Sequence, residues 1–433
     1  MKTSIIIFLL TIIFSNNKLA NCQPHNQSEP QLISSKTQNA SGPFFTTNHQ
    51  QQPVLVWTES LPNAAENTEP ENVIKFATFN QSNGTFEEPV IVTSSKGCRA
   101  HDESMNKIAF KKDGTIVAVY SKRTPHKENR FAGALFYTQS FDGGLNWSAP
   151  NYLHVGDTTL GLSRSFFDLA TLPNGEVGAV WLDSRLTKKR GDGSSLFFAK
   201  TDEQKGFLKD QPIAYQTCEC CRTELFVADE KIHIAYRDIM QDTIRDMAHL
   251  VSLDNGATFT KPTTISPDNW MINGCPHTGP AMANTTNQTH FVWYTMGGGE
   301  GVYYNFLDEN ETFSPRQLIT ANGKHPQMLA TSTEQLVFVW EEGNNKTARQ
   351  AHHHKTPQTK TKKSETEKTK QTSYIKAQVW QNQTPSYEHW VSLSGFKAEF
   401  PVITNINNEY VGIAWVQNIS ENEYGIYFKK LKL

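Results

Sequence analysis

The sequence predicts an all-β fold, a β-propeller made of four-stranded antiparallel blades. Three observations predict it: short apolar strands ending in an aromatic residue recur along the chain, further short strands follow each of them, and polar turns close many of the repeats on an aromatic side chain. Most repeats follow one another at roughly 47 to 63 residues, a period typical of propellers and solenoids. Repetition also lets one domain exceed the roughly 250 to 300 residues at which a single core usually stops growing.

Seven aromatic-ended strands mark the repeats. Their sequences are VLVWTE, VAVYSK, GAVWLD, IHIAYRD, FVWYT, VFVWEE and GIAWVQ, with the aromatic residues Trp57, Tyr120, Trp181, Tyr236, Trp293, Trp340 and Trp415. A second apolar strand, a polar turn and another short strand follow, so that each repeat has the pattern of a four-stranded meander. The count therefore favours seven blades.

The last repeat is one strand short. It ends at the C-terminus after three strands, whereas EPQLIS at residues 29–34 is similar to EEPVIVTSS, the outer strand of the first repeat. We predict that this N-terminal strand completes the last blade, because closing the ring removes an exposed sheet edge.

Two turns share the pattern S-x-D-x-G-x-x-W/F. They are SFDGGLNW from Ser140 and SLDNGATF from Ser252. In such a hairpin turn the Asp accepts turn amides, the Gly adopts a positive φ and the aromatic ring packs under the strands. We expect these residues to be structural. The pattern resembles the Asp-box, or BNR, repeat of the sialidase superfamily of β-propellers.

Two longer segments sharpen this resemblance. CECCRTELFVADEKIHIAYRD and NWMINGCPHTGPAMA resemble segments of poorly characterised bacterial exo-sialidase-like proteins. Sialidase domains have six blades, which makes six the alternative count. The family also implies three arginines on the sialic-acid carboxylate, a tyrosine nucleophile paired with a glutamate, and an aspartate acid/base. The family's Phe/Tyr-Arg-Ile-Pro motif is absent, with GCRAH in its place, and the nucleophile stays open among Tyr236, Tyr294 and Tyr424.

The start of the chain has the layout of a secretory signal. Lys2 precedes the apolar run IIIFLLTIIF, and Cys22 follows in KLANC, which resembles a lipobox. We expect residues 1–22 to be a signal peptide and leave lipid attachment at Cys22 and simple cleavage open. The protein is then exported as a periplasmic, outer-membrane lipoprotein or extracellular protein, with residues 23–433 as one propeller domain. Within that domain we expect the Lys/Thr/Gln-rich stretch at about 344–373 to be a disordered loop.

The overall charge excludes two classes of partner. The chain has 41 basic and 43 acidic residues and a net charge of −2, so neither nucleic acid nor a membrane surface is expected to bind it through global charge. We expect a monomer that binds an acidic carbohydrate or glycoconjugate, with membrane contact only through a lipid anchor.

Cationic residues recur at one structural position. Inner strands of a propeller begin at the face where ligands usually bind, and these starts contain CRAH from Cys98, SRS from Ser163, CRT from Cys221, CPH from Cys275, KHP from Lys324 and FKAE from Phe396. The loops that return to this face add Glu59, Asp183, Arg185, Arg237, Asp238, Glu341 and Glu342. Guanidinium groups pair with carboxylates bidentately, so a ring of arginines predicts an anion pocket on the axis. The predicted substrate-binding residues are Arg99, Arg164, Arg222, Arg237, His277 and His325.

Glycoside hydrolysis needs one group to protonate the leaving oxygen and another to stabilise the oxocarbenium-like centre. Asp183, Glu224 and Asp238 are the acids best placed by topology, and we predict that they are catalytic. For Asp183 and Asp238 the alternative is a salt bridge to Arg185 or Arg237.

The cysteines allow two states. Export favours disulfides, with Cys218, Cys220, Cys221 and Cys275 as the candidates. If Cys22 is lipidated, five cysteines remain, and the odd number keeps a metal site open. Its ligands would come from the same strand starts, namely Cys98, His101, Cys221, Cys275 and His277, with His325 nearby.

Three functions fit these patterns. The first is an exported sialidase-like glycoside hydrolase for sialic or other acidic sugars, which requires no cofactor. The second is a non-catalytic propeller that binds an anionic glycan or a protein partner, because a fold alone does not establish an activity. The third is a Cys/His metal-binding propeller.

Overall fold

The structure is a ring of seven antiparallel β-sheets. The computed structural model describes residues 29–62, 71–157, 159–188, 192–272, 274–343 and 372–433. The sheets follow one another in chain order, and each contains at least four strands. The predicted propeller with seven blades is confirmed, and the alternative of six blades is wrong. The predicted signal peptide with Cys22 lies outside the described residues, as do positions 344–371 of the predicted loop, whereas Ser373 already begins a strand.

The N-terminal half of the chain forms the first three blades. After β1 (Gln31–Leu32), blade 1 contains β2 (Ala40–Thr47), β3 (Pro53–Ser60), β4 (Asn72–Asn80), β5 (Thr85–Phe86) and β6 (Val90–Val92). Blade 2 contains β7 (Lys107–Phe110), β8 (Ile116–Arg123), β9 (Gly133–Ser140) and β10 (Asn151–Tyr152). Blade 3 contains β11 (Arg164–Thr171), β12 (Val177–Asp183), β13 (Ser194–Lys200) and β14 (Gln211–Thr217).

The remaining four blades complete the ring. Blade 4 contains β15 (Glu224–Ala228), β16 (Lys231–Arg237), β17 (Met247–Ser252) and β18 (Thr263–Thr264). Blade 5 contains β19 (Ala281–Thr285), β20 (Gln288–Thr295), β21 (Gly301–Leu307) and β22 (Gln317–Thr320). Blade 6 contains β23 (Gly323–Ala330), β24 (Gln335–Gly343), β25 (Ser373–Gln381) and β26 (Thr384–Trp390). Blade 7 contains β27 (Ala398–Asn407), β28 (Tyr410–Asn418), β29 (Tyr424–Lys432) and β1.

The N-terminal strand closes the ring, as predicted. Leu32 lies opposite Tyr427 of β29 in an antiparallel pair, and the amide of Ile33 donates to the carbonyl of Ile426 at 2.8 Å. The buried Ser34 hydroxyl accepts the amide of Ile426 at 3.0 Å. These bonds occupy the outer edge of β29, which would otherwise present unpaired backbone groups to solvent.

The only helices in the described ranges are three short 3₁₀ turns, at Thr93–Ser95, Ser184–Leu186 and Glu203–Lys205. None of the helices in this part of the chain has the length and apolar character needed to cross a bilayer.

The predicted Asp-box turns form the expected bonds. Ser140 Oγ donates to Asp142 at 2.9 Å and accepts the amide of Gly144 at 2.8 Å, while Asp142 also accepts the amide of Asn146 at 2.9 Å. Trp147 donates its indole N–H to the Gly144 carbonyl at 3.1 Å. The turn that begins at Ser252 repeats the hydroxyl and carboxylate bonds. Side chains thus replace the ladder bonds that the turn cannot form.

Buried tryptophans form a second internal repeat. In four blades a tryptophan on the second strand donates its indole N–H to a polar side chain two residues later, whereas Trp293 of β20 donates to Asp268 at 2.7 Å. The pairs are Trp57 with Glu59 at 2.9 Å, Trp181 with Asp183 at 3.3 Å, Trp340 with Glu342 at 2.6 Å and Trp415 with Gln417 at 3.1 Å. A buried indole N–H needs an acceptor. Three of the acids predicted at the ligand face therefore have a structural partner.

Four blades have a bulge near the start of the inner strand. In four blades the pairing of the first two strands shifts register at a residue with positive φ, namely Gly42 at 59°, Phe166 at 51°, His325 at 47° and Phe400 at 52°. Non-glycine residues rarely adopt this conformation, and bulges of this kind often re-aim a side chain beside a functional site.

Candidate functional site

One loop crosses the mouth of the propeller axis. We call residues 99–106, which lead into β7, the axial loop. Asp102 accepts the amide of Gly42 in blade 1 at 2.8 Å, and Ser104 Oγ accepts the amide of Phe166 in blade 3 at 2.8 Å. Asn106 donates to Thr58 of blade 1 at 3.0 Å. Polar bonds to neighbouring blades therefore hold this loop over the axis.

The axial loop places a carboxylate where the anion pocket was predicted. Glu103 is 4% exposed, and its two oxygens lie 3.2 Å from Arg222 Nε of blade 4 and 3.0 Å from His325 Nε2 of blade 6. The other ring nitrogen, His325 Nδ1, lies 2.7 Å from Glu341. Arg222 and His325 do converge on an anion, as the sequence predicted for a substrate. In the structure that anion is the protein's own Glu103.

The charges of this cluster are strongly coupled. Burial raises the pKa of Glu103, although the Arg222 and His325 charges oppose it. Burial by itself lowers the pKa of His325, but the carboxylates of Glu103 and Glu341 outweigh it and raise the pKa of the imidazole. Both ring nitrogens face carboxylates, so the protonated form with two donors fits this position.

Arg164 lies outside this cluster. Its Nε is 3.1 Å from Asp183, and Arg185 Nη2 approaches the same carboxylate at 2.7 Å. Asp183 is completely buried and also accepts the indole N–H of Trp181. The salt bridge to Arg185, predicted as the alternative for Asp183, is present. Because Asp183 is inaccessible and already paired with two guanidinium groups, we replace the catalytic assignment with a structural one, and Arg164 is not a free anion ligand.

Arg237 and Asp238, at the end of β16, have different surroundings. Arg237 is 1% exposed and donates to the carbonyls of Arg245 and Tyr294 at 2.8 Å each. Its side chain therefore supports backbone and does not pair with Asp238. Asp238 is half-buried, and burial raises its pKa to about 6. It lies close enough to Tyr236 to raise the pKa of that buried phenol further, after burial itself.

Glu224 is the first residue of β15 in blade 4. Its neighbour Asp168 forms a buried ion pair with Lys107 at 2.6 Å. Burial and the Asp168 charge raise the pKa of Glu224 to about 8, against the attraction of Lys107. A carboxylic acid that stays protonated near neutral pH has the chemistry of a proton donor.

Arg99 and His101 of the axial loop lie near His277. Burial, together with the nearby Arg99 and His277, lowers the pKa of His101 to about 4. Within the described ranges neither Arg99 nor His277 forms an ion pair, and Arg99 is half-buried while His277 is exposed. Of the six predicted binding residues, these two keep their charge or donor free for a ligand.

A cleft opens beside the axial loop, between blades 1 and 7. We call it the axial cleft; its volume is about 310 Å³, and it is lined by Asn39, Ala40, Ser41, Asn72, Ala100, Asp102, Glu399, Val416 and Tyr424. Burial raises the pKa of Asp102 and that of Glu399, although the Gly42 amide opposes it at Asp102 and Lys397 opposes it at Glu399. Lys397 lies 2.6 Å from Glu399.

Sequence reasoning placed Glu399 at this face without a role and missed Asp102. Glu399 occupies an inner-strand start, whereas Asp102 lies in a loop that has no repeat pattern. A larger cavity of about 530 Å³ lies among the turns of the opposite face, lined by Asp113, Glu176, Glu203, Gln204 and Lys205. Its Glu176 already pairs with Lys111 at 2.9 Å, so the axial cleft is the better candidate site.

The cysteines occupy two places. Cys98 is buried between blades 1 and 2, where burial raises the pKa of its thiol to about 12, so it does not join the other predicted metal ligands. Cys218, Cys220, Cys221 and Cys275 gather beside blade 4. All cysteines in the described ranges are free thiols, and the predicted disulfides are not formed, with Cys218 Sγ lying 3.4 Å from Cys221 Sγ and 3.7 Å from Cys220 Sγ.

Comparisons with known proteins agree with this architecture. A family model described as "BNR repeat-like domain" matches residues 54–292. No curated protein matches the chain.

Similar solved structures include a Dyadobacter fermentans protein of unknown function, with 13% identity, 94% of this chain and 98% of that chain covered, and a TM-score of 0.48. The NanB sialidase of Streptococcus pneumoniae is similar with 8% identity, 93% and 94% coverage and a TM-score of 0.46. The Trypanosoma rangeli sialidase has 12% identity, 71% and 53% coverage and a TM-score of 0.43. The family match spans more than half of the chain, and the chain therefore belongs to the BNR repeat-like domain family.

Proposed function

We propose that this protein is an exported sialidase-like glycoside hydrolase that acts on sialic or other acidic sugars, and that the sugar binds in the axial cleft. One observation carries the proposal: two carboxylic acids with raised pKa, Asp102 and Glu399, line the same cleft as the phenol of Tyr424. The cleft volume of about 310 Å³ is within the range of small-ligand pockets. Export rests on the apolar run that follows Lys2.

The chemistry needs two groups in different protonation states. Hydrolysis of a glycoside requires a proton donor for the leaving oxygen and a second group that stabilises or attacks the anomeric carbon. Lys397 at 2.6 Å favours the ionised form of Glu399. Among the residues that the structure describes, no cation lies that close to Asp102, so we assign it as the proton donor. Glu399 and Tyr424 then act on the opposite side of the bond, the pair of residue types that the resemblance to sialidases implies.

The preference for an acidic sugar rests on nearby cations. Arg99 directly precedes Ala100 in the cleft lining and forms no ion pair within the described ranges. Lys397 keeps 40% of its side chain exposed. A guanidinium binds a carboxylate bidentately, so Arg99 is the residue we assign to the acidic group of the sugar. Arg222 is not assigned this role, because Glu103 already neutralises it.

The test compares hydrolysis of fluorogenic sialosides, uronides and a neutral glycoside. We expect Asp102→Asn to lower kcat about 10²- to 10⁴-fold, the range for loss of general acid catalysis. Arg99→Ala should raise KM for the acidic substrates and leave KM for any neutral substrate unchanged. Glu388→Gln, on the outer strand of blade 6, is the matched control and should retain activity.

Three other outcomes would change the assignment. Loss of activity in Glu224→Gln or Asp238→Asn, with Asp102→Asn still active, would move the site to the acids that the sequence favours. Binding of acidic glycans without hydrolysis would leave a non-catalytic propeller that binds anionic glycans. A folded protein that neither binds nor hydrolyses any acidic glycan would refute the proposal.

A further inference from the structure

The four cysteines beside blade 4 form a ligand cluster that the proposed hydrolase does not use. Cys218, Cys220 and Cys221 lie in the crossover between β14 and β15, and their side chains are 1%, 5% and 1% exposed. Cys275 approaches from the loop that follows β18 and is exposed. We propose that Cys218, Cys220, Cys221 and Cys275 bind a thiophilic metal ion, Zn²⁺ or Cu⁺.

The sulfur spacing fits a shared ion. The ligand atoms of Cys218, Cys220 and Cys221 all lie within 4.8 Å of one another, and the two measured separations from Cys218 Sγ are 3.4 and 3.7 Å. Four thiolates at about 2.3 Å from a tetrahedral ion lie roughly 3.8 Å apart. A disulfide needs about 2.05 Å. Both separations from Cys218 Sγ are therefore close to the spacing that a metal ion imposes.

Cys275 closes the cluster from the solvent side. The ligand atoms of Cys220, Cys275 and His277 form a second group within 4.8 Å of one another, so Cys220 is common to both groups. The three buried cysteines form the first group, and Cys275 must approach Cys218 and Cys221 more closely than it does here to become the fourth ligand. An exposed fourth ligand gives the ion a path between solvent and the buried sulfurs.

Two buried cations face the thiols. Arg245 Nη1 lies 3.1 Å from Cys218 Sγ, and the Arg237 charge lies near Cys221. Thiolates are the form that binds metal, and N–H groups aimed at sulfur are typical of the surroundings of metal thiolates.

Charge balance supports the same assignment. Four thiolates with Zn²⁺, or three thiolates with Cu⁺, leave a charge of about −2 in a buried place, where unpaired charge is costly. Arg237 and Arg245 are the cations at this place, and Arg245 is also paired with the Glu219 carboxylate at 3.1 Å. Within the described ranges Arg237 has no carboxylate within ion-pair distance, since its hydrogen bonds go to the carbonyls of Arg245 and Tyr294. A bound metal thiolate would balance it.

The test is a metal titration of reduced, untagged full-length protein after removal of bound metal with a chelator. We expect one equivalent of Zn²⁺ or Cu⁺ per chain, measured by dialysis and elemental analysis. Cys221→Ser should weaken binding at least 100-fold. Cys98→Ser removes a buried thiol elsewhere in the fold and should retain one equivalent.

A second variant distinguishes Zn²⁺ from Cu⁺ and is less prone to misfold than a variant of a buried cysteine. Cys275→Ser changes an exposed residue, so the fold should survive, as checked by circular dichroism. Zn²⁺ takes four ligands, so its affinity should fall at least tenfold in Cys275→Ser, whereas Cu⁺ held by three thiolates should keep its affinity. Folded wild-type protein that binds neither ion, or that loses binding only in Cys98→Ser, would overturn the proposal. Glycoside hydrolysis plays no part in this readout, so the two proposals fail independently.

Discussion

The variant Asp183→Asn tests whether the acids at the ends of the second strands support the fold or act on substrate. Asn keeps the shape of the side chain and removes its charge. In the wild type the Asp183 carboxylate faces Arg164 Nε at 3.1 Å and Arg185 Nη2 at 2.7 Å. Arg185 keeps a second carboxylate, Asp210, at 2.5 Å. Arg164 loses its only ion-pair partner in the described part of the chain while its side chain stays 1% exposed.

The expected loss of stability is large. At an effective dielectric constant of about 20, two unit charges 3 Å apart attract by roughly 5 kcal/mol. Desolvation offsets part of this in the intact pair, but the variant retains the buried cation without its partner. Removing one partner of a buried pair costs about 3 to 5 kcal/mol. We expect the free energy of unfolding to fall by that amount.

Urea unfolding followed by circular dichroism measures this change, with Glu71→Gln as the control. Glu71 and Lys96 lie 2.8 Å apart, but their side chains are 56% and 58% exposed, so breaking this pair should cost less than about 1 kcal/mol. An Asp183→Asn protein within about 1 kcal/mol of wild type that had lost hydrolysis would refute the structural assignment and restore Asp183 as a catalytic acid.

Two further predictions concern pH and ring closure. Burial lowers the pKa of His233 to about 4 and that of His249 to about 3, so between about pH 6.5 and 4 the unfolded chain binds protons that the folded chain refuses. The free energy of unfolding should therefore fall as the pH drops through this window, and His249→Gln should reduce the slope; an unchanged slope would contradict the prediction. Ser34→Ala leaves the amide of Ile426 without its acceptor and should cost about 1 to 2 kcal/mol, measured by urea unfolding, with no change expected for the exposed Ser420→Ala.

Patterns that repeat along the chain predicted the fold well. The strand ends at Trp57, Trp181 and Trp340 recur because each blade buries both faces of its second strand, so a short continuous apolar run that ends in an aromatic residue defines that strand. The Asp-box turns were predictable for the same reason, since Ser140 and Asp142 bond to backbone within four residues. Ring closure followed from the missing fourth strand of the last repeat.

The candidate site was predicted only in part, because a repeat pattern places a residue at a face without choosing its partner. Arg222 and His325 do converge on an anion near the axis, but Arg164 pairs with a carboxylate on its own blade. The cysteine cluster was also predicted only in part. Cys218, Cys220 and Cys221 are neighbours in sequence and lie together, whereas Cys98, which the sequence placed among the same candidate metal ligands, lies between blades 1 and 2.

By itself the sequence determined the local structure: the strands, their turns and the order of seven blades, since each depends on contacts within one repeat. Only the tertiary structure decided what fills the axis. Glu103 meets Arg222 and His325 from three different blades, and no local pattern relates residues so far apart in the chain. That pairing follows from the path of the axial loop across the ring, which packing between blades decides. Whether a cation there is free for a ligand or neutralised from within is therefore a property of the assembled propeller.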